Sequence, residues 1–166
     1  MTQEEKQLLL KDLCGRLRYG VRIHINSSIE EQNRMQLYDV NLESETIGVS
    51  NEKWTFRAIP IIDEDDDTKI IKPYLRPMSS MTEEELKELN ERYGNIAYFF
   101  IQKPPYYYGL QAQHSDIGSI EISEFSEIYD WLNAHQFDYH KTPDGKTMIE
   151  AGLALEAKEG MYKNLI

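Results

Sequence analysis

The chain has 166 residues, of which 40% are hydrophobic, and its formal net charge is −11. A chain of this length buries roughly two thirds of its unfolded surface, so its core needs no metal ion or disulfide to hold it together. The single cysteine excludes an internal disulfide framework and suits a reducing compartment. The negative charge disfavours direct nucleic-acid binding, because phosphate contacts require clustered lysine and arginine.

No segment is typical of a membrane span or a signal peptide. The longest apolar run, Ile96 to Ile101, is far shorter than the roughly 20 residues of a spanning helix, and the first residues lack an apolar signal segment. We therefore expect a cytoplasmic protein without membrane association. An acidic surface most often serves solubility, and it also suits a basic protein partner or mimicry of DNA.

A capping box, Thr2 with Glu5, predicts a helix over residues 3–17. Its apolar face is formed at helical spacing by Leu9, Leu10, Leu13, Cys14 and Leu17. The same spacing places Asp12 and Arg16 largely away from that face. The cysteine at the edge of the face is expected to be a small buried side chain, because no neighbouring motif would activate its thiol.

Alternating apolar and polar residues predict strands in the next part of the chain. The runs are Val21–Ile25, Met35–Leu42, Thr46–Ser50, Trp54–Ile62 and Ile70–Leu75. Their regular spacing predicts an antiparallel meander, or a small SH3-like barrel closed by the last run. The acidic run Asp63–Asp67 lacks the alternating ligand spacing of a calcium loop, so we interpret it as a solvated loop.

A second capping box, Thr82 with Glu85, marks the change from strands to helices. It follows a segment, 72–77, in which two prolines favour extended backbone. Apolar residues then recur at helical spacing, at Leu86, Leu89 and Tyr93. This pattern predicts a helix that starts just after Thr82.

The rest of the chain reads as mixed and more helical. Ile96–Ile101 has the propensity of a buried strand, and Ser123 is the predicted N-cap of a helix that ends near His135. We predict the α+β class: an N-terminal helix, an antiparallel β-meander or small SH3-like barrel, then a helix-containing C-terminal part. The predicted division is a lobe over 1–77 and a mixed lobe over 78–166, which share one core.

Aromatic residues supply the candidate binding surface. Tyr106, Tyr107 and Tyr108 follow two adjacent prolines, and Trp131 flanks the apolar face of the last predicted helix. Exposed aromatic side chains suit a peptide, a sugar or a base. Packing of this loop onto the core is the simpler interpretation, and both stay open.

No residue set argues for catalysis or for a cofactor. His135, Asp138 and His140 are metal-ligating types, but they are weak candidates because a metal site needs three or four ligands in a defined geometry. His114 and Asp116 lie close in sequence, which is no sign of a triad, since triad members are brought together by folding. The chain contains no phosphate-binding glycine loop and no dinucleotide motif.

Several segments resemble one protein family. They are Thr2–Leu17, Lys72–Glu85, Tyr129–Tyr139, Glu150–Ala157 and Gly160–Tyr162. With these segments the chain resembles a group of small uncharacterised proteins from phages, prophages and mobile elements of gut Bacteroidales. The resemblance implies a genomic context, an accessory protein of a mobile element, and it brings no activity, cofactor or catalytic residue.

We therefore predict a non-enzymatic interaction protein that presents its strand region or its tyrosine loop to a protein partner. Two other classes stay open. The charge of −11 and the Asp63–Asp67 run suit an acidic mimic of DNA that inhibits a DNA-binding host protein. A hydrolase of unknown substrate would use His114 or His135 with a nearby aspartate.

Overall fold

The computed structural model describes residues 1–25, 34–61, 71–93 and 122–162. Three predicted features lie outside these ranges: the strand Ile96–Ile101, the acidic run Asp63–Asp67 and the tyrosine loop Tyr106–Tyr108. Residues His114 and Asp116 lie outside them as well.

The described chain contains three α-helices: α1 (Gln3–Arg16), α2 (Glu83–Tyr93) and α3 (Ile122–Ala134). A short 3-10 helix, Leu17–Tyr19, extends α1. Both predicted capping boxes are formed: the Glu5 amide donates to Thr2 Oγ1 over 3.2 Å, and the Glu85 amide donates to Thr82 Oγ1 over 3.2 Å. Helix α3 begins before Ser123, so the N-cap predicted there is wrong.

Seven strands form one sheet in the described residues. They are β1 (Arg22–His24), β2 (Met35–Asn41), β3 (Thr46–Ser50), β4 (Thr55–Pro60), β5 (Lys72–Pro77), β6 (Phe137–Asp138) and β7 (Leu155–Glu156). The order is β4-β3-β2-β1-β5-β6, and β7 also pairs with β5. The strands β1 to β5 pair in antiparallel fashion, whereas β6 and β7 run parallel to β5.

This arrangement confirms the predicted α+β class with an N-terminal helix. Strands β1 to β4 form the predicted meander, and β5 returns to pair with β1 at the side of the meander away from β4. Strand β6 comes after α3, so the C-terminal part contributes to the same sheet.

The larger hydrophobic cluster lies between α1 and one face of the sheet. Alternate strand residues point to this face, because successive side chains of a strand lie on opposite sides. Its fully buried members include Leu9, Leu13, Ile23, Met35, Leu37, Ile47, Val49 and Leu75. Met148, Leu153 and Ala154 from the C-terminal part complete it. Cys14 is exposed, so the prediction that it is buried is wrong.

A second hydrophobic cluster joins the other two helices to β6. Its buried members are Leu89, Ile128, Trp131, Leu132, Phe137 and Tyr139. Leu89 comes from α2, and the others come from α3 and from the strand after it. Helix α1 therefore belongs to one cluster, and helices α2 and α3 belong to the other.

Candidate functional site

Trp131 is the one member of the predicted binding surface that lies in the described residues. Its side chain is 4% exposed, and its ring stacks on His135 with the centroids 3.7 Å apart. The indole Nε1 donates to Glu88 Oε1 over 3.0 Å, which links α3 to α2. The placement of Trp131 on a binding surface therefore does not agree with its burial; it is a core residue with a satisfied polar atom.

The three weak metal candidates contact different partners. His135 Nδ1 lies 2.8 Å from the Trp131 carbonyl oxygen, and His140 Nδ1 lies 2.9 Å from Asp12 Oδ1. Asp138 accepts the backbone amide of Ile149 over 2.9 Å. In the described ranges, no group of three or more metal-ligating side chains is placed to hold an ion.

Asp138 fixes the segment after β6 rather than presenting a free carboxylate. Burial raises the pKa of this carboxyl group, and the amides of Ile149 and Met148 oppose that rise by donating to the carboxylate. The two Asp138 carboxylate oxygens thus bind the amides at the start of the turn, and Met148 in this turn packs in the larger cluster. The role of Asp138 in this arrangement is structural.

Asp12 and Arg16 form a fully buried ion pair on α1. Arg16 Nε donates to both Asp12 oxygens, over 2.8 and 2.9 Å. Arg16 Nη2 also donates to the Phe137 carbonyl oxygen over 2.7 Å, and the Arg16 Cζ atom lies 5.5 Å from the Tyr139 ring centroid. The expectation that Asp12 and Arg16 point away from the core is wrong, because β6 and the residues after it cover this side of α1.

The environment of Asp12 keeps its carboxylate ionised. Burial acts to raise the pKa, but the charge of Arg16 and the hydrogen bonds from His140 and Arg16 outweigh it and lower the pKa to about 2. Arg16 and His140 donate to this carboxylate, and its charge also acts on the buried carboxyl group of Asp138. The arrangement is suited to tying α1 to β6, and it offers no group positioned to attack a substrate.

A cleft lies against the turn between β3 and β4. The described residues that line its volume of about 650 Å³ are Arg22, Arg34, Gln36, Ser50, Asn51, Glu52 and Lys53. Three of these side chains are cationic and one is anionic. The composition contrasts with the whole chain, which has 29 acidic and 18 basic residues. We refer to this set of residues as the basic cleft.

Exposed aromatic side chains lie near the basic cleft, on β2 and at the start of β4. Tyr38 is 41% exposed and Trp54 is 40% exposed, and Trp54 stacks on Phe56 at 6.5 Å between ring centroids. The Tyr38 hydroxyl reaches the Phe56 carbonyl oxygen at 3.4 Å. The Tyr38 ring covers Gly48, where an added Cβ would lie 2.6 Å from the ring. We refer to Tyr38, Trp54 and Phe56 as the aromatic edge.

The sequence predicts the strand region as one of two possible binding surfaces, but it does not single out the residues of the basic cleft or the aromatic edge. The alternation in β2 and β3 was visible, but a cleft depends on which strands become neighbours, and β1, β2 and β3 are brought together only by pairing. Trp54 was assigned to a strand, and nothing in its local sequence distinguishes an exposed tryptophan from a buried one.

The chain matches no family model, no curated protein and no solved structure. In the part of the chain that the structure describes, no helix has the length and apolar character to cross a membrane.

Proposed function

We propose that this chain is a non-enzymatic accessory interaction protein, of phage or mobile-element origin, that binds a protein partner through the aromatic edge. The single observation that carries the proposal is the exposure of Tyr38 on β2 and of Trp54 directly before β4, the two strands that flank β3. Large aromatic side chains are enriched at the centres of protein interfaces, because they bury much area at a low entropic cost.

The exposed area of the Trp54 side chain is large enough to contribute measurably to binding affinity. Burying the exposed part of its side chain, about 100 Å², at about 25 cal/mol per Å² contributes about 2.5 kcal/mol to binding. That contribution corresponds to about a 70-fold change in affinity. The stacking contact with Phe56 holds the indole in place before a partner arrives, which reduces the entropy lost on binding.

We infer that side chains, rather than backbone pairing, make this contact. In the described sheet β4 is the last strand on its side, but its edge is interrupted. Arg57 and Ala58 both lie opposite Gly48 in a bulge, where Ala58 has a φ of 53°, and Pro60 has no amide to donate. Such features oppose the addition of a further strand.

The buried ionisable groups support a scaffold more than a catalyst. Asp12, Arg16 and Asp138 each join two parts of the fold, whereas His135 packs on Trp131 at the end of α3. The hydrolase interpretation would use His114, which lies outside the described residues, or His135, whose ring is stacked on Trp131. The DNA-mimic interpretation is motivated by the net charge of −11 and by Asp63–Asp67, which lies outside the described residues.

The test compares two exposed apolar residues in two different turns of the meander. A partner is captured from host lysate with the wild-type chain, purified, and titrated against Trp54→Ala and Leu42→Ala. Leu42 is the control, because it is 62% exposed but lies in the β2–β3 turn. We expect the Trp54→Ala change to weaken binding by about 10-fold or more and Leu42→Ala by less than about 2-fold.

Equal affinities of the wild-type chain and Trp54→Ala for the purified partner would contradict the proposal. Failure to recover any partner after repeated captures would contradict it as well. Circular dichroism of both variants checks that the fold is kept, so that a loss of binding is assigned to the side chain.

A further inference from the structure

A row of polar side chains crosses three strands on the face of the sheet opposite the larger cluster. Arg22 of β1 lies directly across from Gln36 of β2, and Gln36 lies directly across from Ser50 of β3. Their neighbours Ile23, Met35 and Val49 are fully buried on the other face. Because side chains alternate along a strand, the row of Arg22, Gln36 and Ser50 projects into the basic cleft.

The arginines of the cleft differ from most arginines of the described chain. Arg16, Arg18, Arg76 and Arg92 each form a salt bridge with a carboxylate. In the described ranges neither Arg22 nor Arg34 has a salt bridge. Among the described residues these two arginines line one cleft without a carboxylate partner, and the donors of a guanidinium group suit a carboxylate ligand.

The wall of the cleft formed by the β3–β4 turn has a defined backbone shape. The Asn51 side-chain oxygen accepts the amides of Lys53 and Trp54 over 2.9 and 2.8 Å, and the Asn51 amide donates to the Trp54 carbonyl oxygen over 2.9 Å. This closed turn places Lys53 at the cleft and Trp54 directly after it. The basic cleft and the aromatic edge are therefore continuous along the chain.

We propose that the basic cleft binds an acidic peptide segment of the partner, with Arg22 and Arg34 holding its carboxylates. Arginine donates two parallel hydrogen bonds to a carboxylate. The side chains of Gln36 on β2 and Ser50 on β3 can donate hydrogen bonds to a peptide backbone and accept them from it. The volume of about 650 Å³ is the size of a site for a short segment. This inference rests on the proposed function, because it specifies the chemistry of the same partner.

Charge complementarity favours a peptide over a nucleic acid. A nucleic acid needs a long track of cations that neutralises many phosphates, whereas the described lining of this cleft has three cationic side chains and the carboxylate of Glu52. The remaining surface of a chain with a net charge of −11 repels a long polyanion. A short acidic segment that is followed by apolar residues meets the cleft with its carboxylates and the aromatic edge with its apolar part.

The experiment uses the full chain, labelled with ¹⁵N and titrated with a short peptide of alternating glutamate and glycine. Inorganic phosphate and a glutamine-for-glutamate peptide are titrated in parallel. The variants are Arg34→Gln, which removes an exposed arginine, and Arg22→Gln. Lys87→Gln is the matched control, because it removes one positive charge from α2. Thermal unfolding of each variant checks that the fold is retained.

We expect the acidic peptide to shift amide signals of residues 34–36 and 50–53 and to bind about 10-fold more weakly to Arg34→Gln. Lys87→Gln is expected to bind the peptide like the wild-type chain, and the glutamine peptide is expected not to bind. Equal binding of the peptide to wild type and Arg34→Gln would overturn the inference. Shifts produced by phosphate and not by the peptide would overturn it too, since they define a simple oxyanion site.

This test can fail while the proposed function stands. If the captured partner needs Trp54 but binds Arg22→Gln and Arg34→Gln normally, the aromatic edge is the interface and the basic cleft is not part of it. If the partner also binds Trp54→Ala with the same affinity as the wild-type chain, the proposed function fails.

Discussion

Asp12 and Arg16 form an ion pair whose energetics differ from those of a surface pair. Both side chains are fully buried, so each charge has lost its hydration and depends on the other for compensation. The Phe137 carbonyl oxygen accepts a further hydrogen bond from Arg16, and the His140 ring donates to Asp12, so both charges gain compensation beyond the pair itself. Among the described residues, Arg16 Nη1 is buried without a hydrogen-bond partner. Removing one partner leaves the other charge buried without its counter-ion.

We therefore expect Asp12→Asn to lower the free energy of unfolding by about 3–5 kcal/mol at neutral pH. Urea unfolding followed by circular dichroism measures it. The double variant Asp12→Leu with Arg16→Met, which removes both charges, is expected to be more stable than Asp12→Asn. A loss below about 1 kcal/mol in Asp12→Asn would show that the pair is solvated and would contradict this part of the account.

The same variant isolates a pH dependence. The folded-state pKa of Asp12, about 2, lies below its ordinary value of 3.8, so its ionisation stabilises the folded state above pH 3.8 and this stabilisation is lost as the pH falls through about 2. The ionisation of Asp138 contributes to stability with the opposite sign, because burial raises its pKa. The difference between wild type and Asp12→Asn removes the part of the Asp138 contribution that both chains share, although the Asp12 charge itself adds to the raised pKa of Asp138. We expect this difference to shrink by up to about 2 kcal/mol between pH 5 and pH 2. A difference that is constant with pH would contradict the assignment.

The burial of Asp12 and Arg16 was not predictable from the local sequence. Helical spacing predicts Asp12 and Arg16 largely away from the leucine face, and charged residues at such positions are usually solvated. The Phe137 carbonyl that accepts from Arg16 is 121 residues away in sequence. Only the packing of β6 against α1 brings that carbonyl and His140 to this side of the helix.

At the scale of elements, the capping boxes were predictable because they are complete within four residues. Thr82 and Glu85 do what the motif indicates: the Thr82 amide donates to Glu85 Oε2 over 2.8 Å, and the Glu85 amide donates to Thr82 Oγ1. The sequence did not indicate that Glu85 also binds Arg76. Arg76 Nη1 and Nη2 donate to the two Glu85 oxygens over 2.6 and 2.8 Å, which joins β5 to the start of α2.

This double use of one carboxylate makes Glu85 the most important residue of the first turn of α2. Burial raises the pKa of Glu85, but the Arg76 and Thr82 hydrogen bonds outweigh it and leave the pKa lowered. We expect Glu85→Gln to lower the free energy of unfolding by about 1–2 kcal/mol. Its neighbour Glu84 is exposed, and we expect Glu84→Gln to change stability by less than about 0.5 kcal/mol. Equal effects in urea unfolding would argue against the link to β5.

Strand positions were also predictable, since β2, β3 and β4 follow the alternation of apolar residues. The strand that pairs with β5 could not be predicted. Strand β5 pairs with β1 rather than with β4, and this choice depends on the twist and packing of the whole sheet. The Tyr38 bulge was missed for a similar reason. A bulge adds one residue on one strand, and the exposed Tyr38 over Gly48 gives no periodic signal.

At the scale of the whole molecule, the two hydrophobic clusters meet at the Asp12–Arg16 pair, while the basic cleft and the aromatic edge lie on β1 to β4. Helices α2 and α3 belong to the second cluster, which includes Phe137 of β6. Strand β6 lies at the end of the strand order opposite β4. The account therefore separates a part that stabilises the fold from a part that we propose binds a partner.

The most direct test of that separation is hydrogen–deuterium exchange of the full chain, alone and in complex with the captured partner. The account predicts slower exchange in residues 34–56 on binding, with α2 and α3 unchanged. Slower exchange confined to Glu83–Tyr93 or Ile122–Ala134, with residues 34–56 unaffected, would contradict it and would move the interface to the helices.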